Sequence, residues 1–274
     1  MSTFKELSRL INVKEICEPF FVELDSSDDL NNVWEQWTEQ CFDNHIDPME
    51  KIALIKQDQK AIGWLCFEDM LGNDTLKLVA DCYEPISADK LISSDTPLLE
   101  AVSAVCSGTS YVYFVLSGNE FIGFLNYDHF NKLPFRLCLF ALLIEIESLM
   151  MEIIRSDSTS FLKYLPEGRL ASAKKIYKNR GFSIDNKGKE YDSNLLDCTT
   201  FIDKFKMMKK NQIITQKCPN IKSKFVNVAN DLRNTVAHPE GEESMSLPIK
   251  REDFPSFLQW AEELQKQLQA MGLK

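Results

Sequence analysis

The sequence predicts an α+β first half followed by an all-α second half, and three observations carry that reading. Two apolar, strand-like runs, each returning across a short polar turn, recur at a period of about 60 residues, at residues 52–65 and 111–125. Beyond Pro134 the period changes to that of helices, beginning with Phe135–Arg155, which holds neither Gly nor Pro. The charge changes at the same place. Residues 1–131 carry 8 Lys or Arg against 23 Asp or Glu, whereas residues 132–274 carry 23 against 18, so the overall −10 hides an acidic half and a basic one. An acidic half repels nucleic acid, and a basic half can hold it.

In chain order, Ile11, Val13 and Ile16 form an apolar start, Phe20-Phe21-Val22 an extended piece, and a helix runs from Asp29 through Trp37 and Cys41. Ile52-Ala53-Leu54-Ile55, a polar turn over 56–60 and Ile62-Gly63-Trp64-Leu65 make a hairpin, and a short helix opens near Glu68. The second run repeats the plan. Pro97 precedes a helix over Leu98–Val105, Tyr111–Leu116 is a strand, Ser117-Gly118-Asn119 the turn, and Phe121–Leu125 the return strand, which makes Gly63 and Gly123 equivalent. Asn131–Pro134 is the expected boundary, giving domains 1–131 and 132–274.

Phe135–Arg155 is apolar on nearly every side, as in a helix buried in both a bundle core and a subunit interface, so a homodimer is expected. Glu145 and Glu147 interrupt it: either they point to solvent at one edge, or they are buried, which costs several kcal/mol unless a cation such as Arg233 pairs with them. A helix over Leu170–Asn179, a basic loop over Gly181–Asp192, and an apolar stripe from Leu195 to Met208 with lysines at 204, 206, 209 and 210 follow. Lysines at a helix end most often lie on a solvated face. Asp253-Phe254-Pro255 starts the last helix.

Several functions are excluded or disfavoured. The eight cysteines (17, 41, 66, 82, 106, 138, 198, 218) contain no Cys-x-x-Cys, so a zinc site is not expected. The N-terminus lacks the order of a signal peptide, and Leu137–Ile144 is too short to span a bilayer, so a cytoplasmic protein with reduced thiols is expected. Gly181-x6-Gly188-Lys189-Glu190 has the wrong length for a phosphate-binding loop, and no Gly-x-Ser-x-Gly is present.

The chemical signal lies at Asp231–Pro239. Phe225, Val228, Ala229, Leu232 and Val236 form a helical stripe, with Arg233 and Asn234 on its last turns and His238 before the proline that ends it. Arginine offers phosphate a fixed fork of donors, and histidine exchanges protons near neutral pH. Alternatively, both cations simply suit a helix C-terminus. Arg233-Asn234-x3-His238 resembles the signature of HEPN domains, all-helical dimeric domains that include many metal-independent ribonucleases, and by average residue usage it arises by chance in about one chain in a hundred of this length. The resemblance implies that Arg233 binds the scissile phosphate, His238 acts in acid–base catalysis and Asn234 orients either group; Glu145, as a possible partner of Arg233 on the apolar helix, is a candidate support. It also implies RNA as substrate, no catalytic cofactor or metal, and a composite site across a homodimer, as in a defence or stress effector. The alternative is a non-catalytic HEPN-like module that dimerises and binds RNA or a nucleotidyltransferase. The family's toxin branch carries a tyrosine where this chain has Glu240.

The repeated plan over residues 11–131 resembles a tandem pair of cystathionine-β-synthase (CBS) domains, which implies an adenosine nucleotide (AMP, ADP, ATP or a relative) between the copies. That family's Gly-x-x-Thr-x-x-Asp becomes Gly63-x-x-Cys66-x-x-Asp69 and Gly123-x-x-Asn126-x-x-His129 here, so the implied ligand residues are Asp69, Asn126, Asp128 and His129, with only Asp69 matching cleanly. The acidic half favours AMP-like or uncharged adenosine compounds over long phosphate chains. A structural CBS pair without ligand is the other reading.

Overall fold

The computed structural model describes residues 9–45, 47–48, 51–70, 77–108, 110–156, 158–181, 188–237 and 247–272. The chain divides into two compact units, Asn12–His129 and Phe130–Lys274 together with Met1–Ile11.

The first unit holds two copies of one plan. In the first, β1 (Val22–Asp25) leads through α1 (Leu30–Asp43) to the hairpin β2 (Ile52–Gln57) and β3 (Lys60–Cys66), with the short β4 (Glu84–Pro85) added to β3. In the second, β5 (Leu91–Ser93) leads through α2 (Leu98–Ser107) to β6 (Tyr113–Ser117) and β7 (Glu120–Leu125). The pairs β1–β2 and β5–β6 are parallel, so a crossover is required, and a helix supplies it in each copy. Asp29 starts α1 by accepting from the backbone N–H groups of Asn31 and Asn32, both at 3.1 Å. Both hairpins bulge at matching places, after Ile55 opposite Gly63 and after Val115 opposite Gly123.

The run Ile52–Ile55 is apolar throughout because both sheet faces are covered. Ala53, Ile55 and Leu65 pack with Val33 and Trp37 of α1. Ile52 and Trp64 on the opposite face join Phe114 and Phe124, with the Trp64 and Phe114 rings 5.8 Å apart.

Each copy also lends its leading segment to the other. Glu18 pairs with Phe124 through two backbone bonds (2.9 and 2.7 Å), and β4 pairs with Gly63 and Trp64. The matched glycines exist for this close approach. A Cβ on Gly63 would lie 2.6 Å from the Glu84 carbonyl oxygen, and one on Gly123 would lie 2.1 Å from that of Glu18. Gly123→Ala should therefore displace the Glu18 segment and cost about 1–3 kcal/mol, the range of overpacked sites. A urea midpoint unchanged from the parent would refute this.

The second unit is helical: α3 (Leu133–Ser156), α4 (Ser158–Leu162), α5 (Glu167–Asn179), α6 (Lys189–Leu196), α7 (Phe201–Lys210), α8 (Gln212–Lys217), α9 (Phe225–Ala237) and α10 (Phe254–Gly272). The apolar α3 is central, packing against α7, α9 and α10. Phe130, Phe135 and Phe254 close one end, with centroids 4.7 Å (130–135) and 5.6 Å (135–254) apart. Near that end the buried Arg136 donates from Nη2 to the Thr235 carbonyl at 3.0 Å, meeting a free acceptor in the last turns of α9.

Two expectations need correction here. The stripe Leu195–Met208 is not one helix: it breaks between α6 and α7, where Asp203 accepts from the backbone N–H (3.1 Å) and hydroxyl (2.7 Å) of Thr200 and so starts α7. Lys204 does not join the solvated lysines at the helix end. Its side chain is 4% exposed and points inward, whereas Lys206, Lys209 and Lys210 are exposed.

Candidate functional site

In the helical unit α3, α5, α7 and α9 line a cleft of about 1170 Å³. Six cationic side chains border it (Arg155, Arg169, Arg180, Lys204, Lys206 and Arg233), against the carboxylates of Glu147, Glu152 and Asp197. Arg233 and Asn234 both reach it from α9, and they touch weakly, Nη1 to Oδ1 at 3.5 Å. His238 lies outside the described residues, so the histidine expected beside them has no position to report.

The carboxylate facing Arg233 is Glu147, not Glu145. Glu147 accepts from Lys204 Nζ at 2.8 Å through Oε1 and faces Arg233 Nη2 at 3.6 Å through Oε2. Glu145 instead accepts from Gln269 Nε2 at 3.2 Å on α10. Two residues along a helix turn a side chain through about 200°, which places the two glutamates on different sides of α3. One half-buried carboxylate thus serves two cations, and the Arg233 Nε–H is buried with no hydrogen-bond partner among the described residues. An excess of cationic donors that stay unsatisfied is the condition for holding an added anion.

The other cations are anchored in turn. Arg169 grips Asp203 through Nε (3.0 and 3.2 Å) and Nη2 (2.7 Å) and also donates to Thr200 Oγ1 at 3.0 Å. Burial works against the Asp203 charge, but the bonds from Arg169 and Thr200 outweigh it and hold the carboxyl below the usual range. Arg155 pairs with Asp197. Lys204 and Asp203 are therefore site residues that sequence reading missed, whereas the sequence singles out Glu147 with Glu145 as a carboxylate that Arg233 could pair with. Lys204 lies far from Glu147 in the chain and carries no local signal of its burial, but Thr200-x-x-Asp203 is a capping pattern that marks a helix start.

The first unit carries its own cleft, of about 510 Å³, between the ends of β3 and β7. Asn126, Asp128 and His129 line it together with Glu18, Asp47, Glu68 and the aromatic residues Trp64, Tyr111 and Phe124. Asp69 does not appear in its wall. The residue at or just past the end of each strand is tied to the residue three further on: Asp69 Oδ2 accepts from the Cys66 N–H (3.3 Å) and thiol (2.9 Å), while His129 Nδ1 accepts from the Asn126 N–H and Asn126 Oδ1 from the His129 N–H, both at 3.3 Å. The same two positions thus close the turn after β3 and after β7. With Nδ1 accepting, His129 Nε2 carries the proton and faces Glu18 Oε2 at 3.3 Å.

Burial, and then the bond to Asp69, push the Cys66 thiol up to about 12. Alkylation at about pH 8 should accordingly leave Cys66 far slower than an ordinary thiol, because the thiolate is the nucleophile. Mass spectrometry of the alkylated protein reads this directly, and rapid labelling at Cys66 would contradict it.

No protein-family model and no curated protein matches the chain. Among solved structures, its N-terminal part is similar to CBSX2 of Arabidopsis thaliana in complex with AMP (16% identity, 43% of this chain and 91% of that one, TM-score 0.33). It is also similar to the CBS domain of the bacterial CNNM/CorC family Mg2+ transporter in complex with ATP (11%, 46% and 88%, 0.36). A third likeness is to the CBS domain pair of protein MJ0100 in complex with 5′-methylthioadenosine and S-adenosyl-L-methionine (12%, 45% and 94%, 0.35). No helix among the described residues is long and apolar enough to cross a membrane.

Proposed function

We propose that this chain is a metal-independent RNA-cleaving enzyme whose helical unit carries the phosphate-transfer site and whose first unit senses an adenosine-type ligand. The observation that carries the reading is the cationic cleft reached by Arg233 and Asn234, the two described residues of the Arg-Asn-x3-His pattern. Arg233 meets the scissile phosphate with donors that its partial pairing to Glu147 leaves available, and they are worth most as charge grows in the transition state. His238 exchanges a proton with the attacking 2′-hydroxyl or the leaving 5′-oxygen, and Asn234 orients phosphate or imidazole. On this reading a homodimer brings two such motifs together across its two-fold axis, each supplying what the other lacks.

For the first unit, support comes from two β-α-β-β copies exchanging their leading segments around a cleft with aromatic and hydroxyl-accepting side chains. The second reading, a module that holds RNA without cutting it, is favoured by one observation: Arg155, Arg169 and Lys204 are each already paired to a carboxylate. Incubating the full chain with total RNA in EDTA, with and without adenosine compounds, separates the two. Cleavage that responds to ligand supports the enzyme, and retention of RNA intact on the protein supports the binding module.

A further inference from the structure

We infer that the cleft of the first unit selects a nucleoside without phosphate, and that any charged substituent it admits is cationic. The inference rests on the adenosine-sensing reading and narrows its ligand. Phosphate is held in proteins by Lys, Arg, or convergent backbone N–H groups. Among the described residues no lysine or arginine lines this cleft, whereas the carboxylates of Glu18, Asp47, Glu68 and Asp128 do. Lys51 is absent from the described lining and is bonded to Glu18, and His129 accepts from the Asn126 N–H through Nδ1 while its Nε2 faces the same carboxylate. A 5′-phosphate brought into this space would meet the like charge of those carboxylates with no lysine or arginine in the described lining to offset it.

What the cleft does offer suits a neutral heterocycle and a sugar. Trp64, Tyr111 and Phe124 supply aromatic surface, and the Asp128 carboxylate can accept the two hydroxyls of a ribose. Trp64 is 8% exposed, and its indole N–H, itself buried, has no hydrogen-bond partner among the described residues.

The test is calorimetric titration of the full chain near neutral pH with four probes that share the adenosine skeleton: 5′-amino-5′-deoxyadenosine, adenosine, AMP and ATP. The amine and adenosine should bind at least about tenfold tighter than AMP, with ATP weaker still. In the double variant Glu68→Gln with Asp47→Asn, which keeps shape and removes two charges, the gap between adenosine and AMP should shrink while adenosine affinity holds. AMP or ATP binding as tightly as adenosine, or a gap that the variant leaves untouched, overturns the charge selection and leaves adenosine sensing standing. No heat with any of the four overturns adenosine sensing itself, and this inference with it.

Discussion

His238→Ala should lower the rate of RNA cleavage by about 10² to 10⁴, the usual contribution of a positioned acid or base, and Arg233→Ala should be at least as damaging because charge building on the phosphate then goes uncompensated. Cleavage by the parent should persist in EDTA and fail on DNA, which lacks the 2′-hydroxyl, and should leave 2′,3′-cyclic or 3′-phosphate ends with 5′-hydroxyls. Both variants should melt close to the parent. Arg233 is partly exposed and its ion pair with Glu147 is long at 3.6 Å, while Lys204 remains to neutralise that carboxylate at 2.8 Å. Glu147→Gln gives a further check, since it frees Arg233 and Lys204 together and should tighten RNA binding whether or not cleavage follows. Product-end analysis and thermal melts decide between outcomes. Unchanged cleavage together with a large loss of stability would show that Arg-Asn-Thr-Val-Ala-His is a helix terminus and nothing more.

Much of the first unit was legible because its signals are local. Continuous apolar runs, polar turns and two glycines opposite bulges recur at the same offsets, and each is fixed by a few neighbouring residues. The exchange of leading segments was not legible, since no short stretch records that Glu18 will pair with Phe124. In the helical unit the long apolar α3 announced itself, but which of its carboxylates turns toward Arg233 depended on where α9 and α10 settled. Charged residues were the poorest guide. Lys204 reads as one more lysine in a basic helix, yet burial against Glu147 makes it part of the cleft wall. The lesson for Asp69 is similar: the sequence position matched a ligand residue, and the structure shows it closing a turn over Cys66.

Arg169→Ala should be the most destabilising single change at the cleft, and its effect should depend on pH. Asp203 is 1% exposed and keeps its charge because Arg169 and Thr200 donate to it. Removing the cation leaves a buried carboxylate with only the Thr200 bonds. Breaking a fully buried pair from one side costs about 3–5 kcal/mol. The Arg169 side chain is 41% exposed, so the favourable pairing that is lost was itself partly screened, and a loss of about 2–4 kcal/mol is the fitting expectation. The sign with pH follows from the direction of the shift. Asp203 is held below its unfolded value of 3.8, so the stability it contributes is present above about pH 4 and is lost as pH falls through the folded-state value. In Arg169→Ala the burial that opposes ionisation is no longer outweighed by the guanidinium, so protonation should relieve the variant and its deficit relative to the parent should narrow in acid. Urea titrations at neutral pH and at about pH 4 measure this difference, with Arg169→Lys as the control that retains a charge but not the forked geometry. A deficit that stays constant across that range would mean that Arg169 stabilises through packing of its stem and not through the Asp203 charge.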